Sequence, residues 1–270
     1  MKKSFLTIFV ITCLWVIACS PKVQTRGAAK TASNVVIDGK LWSSLFQQKS
    51  AEYQALCLQA FNIAQLRVDE AIKQPRNKPL AIVTDIDETF LDNSPYAVHR
   101  ALQGKDYSPD TWYQWTAKGM ADTLTGGLQF FKYAASKNIT IFYITNRDEQ
   151  ERSGTLANLQ RFGFPNADNQ HLILRQGSSS KESRRMQVAQ THEIILLMGD
   201  NLSDFSMLFD KQSTAQRAAN VQQLKNEFGK KFIVFPNANY GGWEDAVYGN
   251  THNLTPAQKD SAIKANLSGY

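Results

Sequence analysis

Leu80-Ala81-Ile82-Val83 is an unbroken apolar run. A short run without alternation fits a strand buried on both faces, as in a parallel sheet. The same signal returns at Ile139–Ile144, His171–Leu174, Ile194–Met198 and Phe232–Phe235. Between these runs the apolar residues take helical spacing. It predicts helices over Gly126–Lys137, Glu149–Phe162, Lys181–Gln190 and Thr214–Phe228. Leu128, Phe131 and Ala135 share one face of the first, and Gly163 with Pro165 stops the second. Strands alternating with helices predict an α/β fold with a doubly wound, Rossmann-like parallel sheet.

The flanks are less regular. Leu41–Ile72 predicts one or two amphipathic helices, ended by a Gln-Pro-Arg-Asn-Lys-Pro breaker. Asn93–Tyr96 reads as a turn. A helical or irregular stretch carrying Trp112, Tyr113 and Trp115 then runs to about Thr125. It lies between two core strands, which predicts an inserted, mainly helical cap over the strand ends. Thr255–Ala265 reads as a helix. The expected division is one domain over 41–270, with its core at about 76–95 and 126–245. The cap is expected from about 41–75 and 96–125, with the C-terminal tail as a further candidate.

Met1-Lys2-Lys3 and the apolar run Phe5–Ile17 form a targeting signal over 1–18, too short for a comfortable membrane span. Val16-Ile17-Ala18-Cys19 resembles the lipobox of bacterial lipoproteins. That likeness implies acylation of Cys19, against the plainer reading of a cleaved signal peptide with a chance cysteine. Ser20 stands where Asp would favour inner-membrane retention, which points to the outer membrane. Residues 19–40, small and polar, read as a tether. Of the three cysteines, Cys13 leaves with the leader and Cys19 takes lipid. Cys57 alone cannot form an internal disulfide, and its helical context predicts a small buried residue.

The net charge of +6 over 270 residues changes this picture little. No dense Lys/Arg run or aromatic-basic interleaving marks a nucleic-acid surface, so the expected partners are anionic small molecules.

The chemistry gathers at the strand ends. Asp85 and Asp87 follow the first strand, Thr145 and Asn146 the second, Lys181 the third, and Asp200 and Asp204 the fourth. Parallel strands bring their carboxyl ends to one rim, where open α/β sheets bind ligands. An Asp-x-Asp alone is matched by a solvated acidic turn. Two acid pairs, a hydroxyl and a lysine at one rim suit a hard cation with a phosphate group: Mg²⁺ takes oxygen ligands, and phosphate wants fixed positive charge.

The stretch Asp85–Tyr96, DIDETFLDNSPY, with Gly199–Phe205, GDNLSDF, resembles the paired signature of bacterial class C acid phosphatases. These belong to the haloacid dehalogenase superfamily and include the outer-membrane lipoprotein 5′-nucleotidases. Tyr240-Gly241-Gly242-Trp243-Glu244 is also similar to that group. The resemblance covers roughly 41–243, plus the lipobox, and implies the haloacid dehalogenase fold. It makes Asp85 the nucleophile, Asp87 the general acid and base, Thr145 a phosphoryl donor and Lys181 the neutralising cation. It implies Mg²⁺ held by Asp85, the Asp87 carbonyl, Asp200 and Asp204. It places the substrate at Asn146, with Trp112 and Tyr240 flanking a nucleobase or nicotinamide ring.

Alternatives stay open at this level. Arg184 or Arg185 competes with Lys181, Asn93 and Asn201 are equally turn formers, and Trp112, Trp115, Tyr240 and Trp243 are equally packing residues. The expected function is Mg²⁺-dependent hydrolysis of nucleoside 5′-monophosphates or nicotinamide mononucleotide through an aspartyl-phosphate. A broad acid phosphatase and a non-catalytic capture lipoprotein are the rivals. A homodimer is one admissible assembly. The four histidines show no Arg-His-Gly motif or paired zinc spacing, which sets aside those phosphatase chemistries.

Overall fold

The computed structural model describes residues 34–270. The leader, Cys19 and most of the expected tether lie outside them. The tether's last residues do not: α1 (Val35–Lys49) starts at Val35, where the Asn34 side chain accepts from the Ile37 N–H. Val36 and Ile37 are buried, and their β-branched, weakly helical character concealed this start from a propensity reading. Ser50 ends α1 and caps α2 (Ala51–Ala71) through the Tyr53 N–H at 3.0 Å.

The strands are β1 (Leu80–Thr84), β2 (Leu91–Asp92), β3 (Asp122–Thr123), β4 (Thr140–Ile144), β5 (Leu172–Ile173), β6 (Glu193–Gly199) and β7 (Phe232–Val234). Within the described residues five of them form one all-parallel sheet, ordered β5-β4-β1-β6-β7. The chain runs outward from β1 to β4 and β5, then returns to the other side of β1 for β6 and β7. Strand order therefore reverses beside β1, and a crevice at that edge is where such sheets hold ligands.

Both faces of the sheet are covered. On one, Ile82, Ile141, Tyr143, Leu196, Met198 and Ile233 pack with α2 and with α5 (Gly127–Ser136) and α6 (Arg152–Phe162). On the other, Ala81, Val83, Phe142, Ile144 and Leu197 meet Val188 of α7 (Glu182–Thr191) and Phe205. The doubly wound sheet expected from the apolar runs is thus present. The placement of α2 in the cap is corrected: Ala60, Phe61, Ala64 and Val68 form an apolar stripe inside the main core. Cys57, free and buried beside Tyr53 and Leu124, is a packing residue.

The cap lies between β1 and α5. Its helices are α3 (Ser94–Leu102) and α4 (Pro109–Thr116). Asn93–Tyr96, expected as a turn, instead opens α3, because Pro95 suits the first turn of a helix. β2 and β3 pair antiparallel at the base of the insertion, Leu91 with Thr123 and Asp92 with Asp122, and so close its two ends together. Two-residue strands leave no periodicity to read. Gly154 of α6 lets the end of α4 approach the core: an added Cβ would meet the Thr116 carbonyl and lie 2.9 Å from Ala117 Cα. The remaining helices are α8 (Thr214–Gln223), α9 (Gly242–Val247) and α10 (Pro256–Asn266). The C-terminal tail joins the cap side, with α10 packing on α1 and α9. No helix among the described residues is long and apolar enough to cross a membrane.

Asp106 ties these pieces together. It receives Lys40 of α1 at 2.6 Å and Lys259 of α10 at 2.8 Å. Burial pushes its carboxyl up, but the two ammonium groups outweigh this and hold it at about 2. A depressed carboxyl contributes stability above its unfolded value of about 4, and that stability is lost as pH falls toward 2. Asp106→Asn is expected to cost roughly 1–2 kcal/mol at neutral pH. It should also flatten the pH dependence of Tm between pH 5 and 2, measured by thermal melts across that range.

Candidate active site

β1 ends by handing its chain to Asp85, whose N–H donates to the Met198 carbonyl of β6 at 2.8 Å. That bond extends the ladder one residue past the strand and fixes Asp85 in the crevice. Thr145 follows β4 and is fully buried. Asp200 follows β6, and Asp204 ends a short 3-10 turn whose capping box links the Asp204 side chain to the Asn201 N–H. Lys181 stands at the start of α7, reached from β5. The topology thus brings four separate chain segments to one rim.

One oxygen each from Asp85, Asp200 and Asp204 lie within 4.8 Å of one another. Lys181 Nζ bonds both Asp85 Oδ1 and Asp204 Oδ1, the latter at 2.6 Å. Asp200 Oδ2 accepts from Asn237 Nδ2 at 2.7 Å, just past β7. One lysine does not balance three carboxylates. Burial raises Asp85, and Asp204 and Asp87 add to the rise against the pull of Lys181. Burial likewise raises Asp200 well above the carboxylate range, reinforced by Asp204 and Asp85. Lys181 itself is held high: burial pulls it down, but Asp204 and Asp85 outweigh that. A buried set of hard oxygen donors with excess negative charge fits a divalent cation such as Mg²⁺.

Asp87 sits apart from this cluster. Arg147 grips it, Nη2 to Oδ1 at 2.6 Å and Nε to Oδ2 at 3.1 Å, and Asn93 Nδ2 adds a bond to Oδ1 at 2.8 Å. Asn93 Oδ1 in turn accepts from the Trp115 indole at 2.8 Å. Asn93 is therefore more than a turn former, and Trp115 is a strut rather than part of a clamp. The three cations near the lysine position touch different groups. Arg184 serves the Thr145 carbonyl and the Asn146 side chain, and Arg185 the Ser203 and Asp204 carbonyls. Lys181 is the cation that touches Asp85.

A cavity of about 610 Å³ opens above these groups, with Trp112, Tyr96 and Tyr107 on one wall and Tyr240 on another. Trp112 packs edge-on against Tyr96, ring centres 5.1 Å apart. The Tyr240 hydroxyl donates to Glu88, a buried carboxyl raised by burial and by Asp87. Glu88 has a left-handed backbone, φ 57°, so its side chain turns inward, and its Oε1 accepts from the Asn93 N–H at 2.8 Å. Asn146 is exposed and lines the same cavity, its side-chain oxygen held by Arg184. Trp243 stands outside it, its indole bonded to the Tyr240 carbonyl.

Sequence reasoning missed three supports: Arg147, Glu88 and Asn237. Arg147 and Glu88 each adjoin a recognised motif, and a buried charge beside a strand-end motif is the signal that was available. Asn237 carries none, because its role depends on β7 lying next to β6.

Sheet, cap and acid rim together define a phosphatase of the haloacid dehalogenase class. A family model described as "HAD superfamily, subfamily IIIB (Acid phosphatase)" matches residues 24–243, and the chain belongs to that family. It is similar to the class C acid phosphatase of Bacillus anthracis, 41% identical, with a TM-score of 0.84 over 87% of this chain and 99% of that one. A tungstate-bound structure of the Bacillus anthracis class C acid phosphatase superposes with a TM-score of 0.85 at 40% identity, over 88% of this chain and all of that one. Among curated proteins, "Acid phosphatase 1" of Solanum lycopersicum is 29% identical over 131 residues, 45% of this chain and 50% of its own length. The "Stem 31 kDa glycoprotein" of Glycine max is 27% identical over 125 residues, 44% of this chain and 49% of its own length. The match spans about half the length of these two curated relatives.

Gly199 offers a test of the cation site. A Cβ there would fall on the Asp204 carboxylate and force that side chain off its place. Gly199→Ala is expected to weaken divalent-cation binding by about tenfold or more, read by titration calorimetry, with helix content unchanged by circular dichroism.

Proposed function

We propose that the chain is a Mg²⁺-dependent phosphomonoesterase acting on nucleoside 5′-monophosphates or nicotinamide mononucleotide. The observation that carries this is the set of buried Asp85, Lys181 and Asp204 with half-buried Asp200, in a cavity lined in part by aromatic rings. The relative with tungstate bound supports the phosphate end of the reading, since tungstate is a tetrahedral oxyanion.

In this mechanism Asp85 attacks phosphorus in line with the ester oxygen. A bond forms from its carboxylate to phosphorus and the bond to the leaving oxygen breaks. That oxygen takes a proton from Asp87, and the product is an aspartyl-phosphate with a free alcohol. Asp87, now ionised, removes a proton from the water that attacks the acyl-phosphate, and inorganic phosphate leaves. Two easier displacements replace one hard one. Lys181 and the Thr145 hydroxyl supply fixed charge and a donor for the phosphoryl oxygens. Asp85, Asp200, Asp204 and, by the family resemblance, the Asp87 carbonyl would hold Mg²⁺. When bound, it offsets the repulsion between the carboxylates and the incoming phosphate.

Trp112 and Tyr240 face the cavity from different walls, and their rings suit stacking on a flat base. Cys19 would carry the lipid that ties the domain to the outer membrane. The runner-up is a broad acid phosphatase. Its supporting observation is that Tyr240, on the cavity wall, is 37% exposed, so the cavity is open enough for small aryl esters.

Phosphate release should be measured from 5′-AMP, nicotinamide mononucleotide and an aryl phosphate. Activity is expected to need Mg²⁺ and vanish in EDTA, and activity that survives thorough chelation sinks the metal assignment. A preference for the aryl ester selects the runner-up, and no turnover of any ester selects ligand capture. Asp85→Asn is expected to lower kcat by at least about 10³-fold and abolish covalent labelling by phosphate. Trp112→Ala should raise KM for nucleotides about tenfold more than for the aryl ester, and equal effects would make Trp112 a packing residue.

A further inference from the structure

We infer that Arg147 and Asn93 choose which oxygen of Asp87 moves the proton, making Arg147 a positioning residue for general acid catalysis. The inference rests on the proposed role of Asp87 and goes beyond it.

The two oxygens of Asp87 are not equivalent. Oδ1 accepts Arg147 Nη2 at 2.6 Å, Asn93 Nδ2 at 2.8 Å and Arg147 Nε at 3.2 Å. Among the described residues, Oδ2 accepts only the shared Arg147 Nε, at 3.1 Å. An oxygen whose two lone pairs already take N–H donors has no room for a proton. The proton of the neutral acid must therefore sit on Oδ2. The Asp87 side chain keeps 14% of its surface exposed and lines the cavity, the side from which a leaving group would take the proton.

The clamp is itself fixed. The Arg147 side chain is 2% exposed. Its Nη1 donates to Thr155 of α6 at 3.0 Å, and its backbone N–H donates to the Thr145 hydroxyl at 3.1 Å. Asn93 is held from the cap by the Trp115 indole. The guanidinium also lies 5.8 Å from the Trp112 ring centre, which sets Asp87 beside the wall proposed for the base. Core and cap thus each contribute one arm of the clamp. A lysine at 147 could not fork across the carboxylate.

The readout is leaving-group selectivity. An alkyl leaving group, as in 5′-AMP, needs the proton, whereas 4-nitrophenolate departs without it. Arg147→Met is expected to lower kcat for 5′-AMP on the order of 100-fold, and for 4-nitrophenyl phosphate by less than about tenfold. Both esters are assayed in one preparation, so any loss of folded protein cancels in the ratio. Arg147→Lys should fall between wild type and Arg147→Met, and it carries the comparison if Arg147→Met turns over neither ester. Asp87→Asn is the control and should discriminate at least as strongly. If Asp87→Asn discriminates and the Arg147 variants slow both esters equally, the clamp is overturned while the acid assignment stands. If Asp87→Asn itself slows both equally, Asp87 is not the acid and the inference falls with it.

Discussion

Everything at the rim follows from one electrostatic problem: three carboxylates and one ammonium group share a space from which water is largely removed. Each carboxylate raises its neighbours, and burial raises them further. Such a set is tolerable only if the backbone holds it rigidly and a cation can enter. The parallel sheet meets the first condition. Asp85 is fixed by a ladder bond to β6, Asp200 by Asn237 beyond β7, and Asp204 by its own capping box over Gly199. Three adjacent strands therefore converge on one ion-sized space. Hydrophobic burial of both sheet faces stabilises that arrangement, and its local electrostatic strain is carried by the core on either side.

The cap answers a different constraint, the need to enclose a substrate without sealing the rim. It is inserted after β1, closed at its base by β2 and β3, and pressed onto α6 where Gly154 leaves room. Asp106 then bridges α1 and α10 across the outer edge. Glu88 reaches from the motif loop to Tyr240, and Asn93 from the same loop to Trp115. The loop that carries the acids is thus also the hinge point to which the cavity walls are tied.

Legibility tracked the range of the interaction. The apolar runs announced every strand of the main sheet, since burial on both faces leaves nothing else at those positions. The strand-end acids followed from the rule that parallel strands share a rim, and the motifs supplied Lys181 and Thr145. The start of α1 was hidden because Val35, Val36 and Ile37 read as anything but helix. The placement of α2 was mistaken because an amphipathic stripe does not say which surface it covers. Arg147 and Glu88 stood beside recognised motifs, but their partners did not show in the sequence, and Asn237 carried no signal. Each meets a site partner 60, 152 or 37 residues away, and no local pattern encodes such a pairing.

Asp85 and Asp87 show how a two-residue spacing can separate two roles. Both leave the same strand end, yet their side chains enter different surroundings. Asp85 turns toward Lys181 and the other acids, where an ionised carboxylate is what a cation and an electrophilic phosphorus require. Asp87 turns toward the Arg147 fork and Asn93, away from the cation space and against the cap. Identical side chains are thus divided by environment, which is how two carboxylates of one loop come to differ in charge and proton affinity. Arg147 lies three residues past the end of β4 and Asp87 three residues past the end of β1. β1 and β4 are paired in register, Thr84 opposite Tyr143, so the two loops run side by side. The adjacency of β1 and β4 places the loop that carries Arg147 within reach of Asp87.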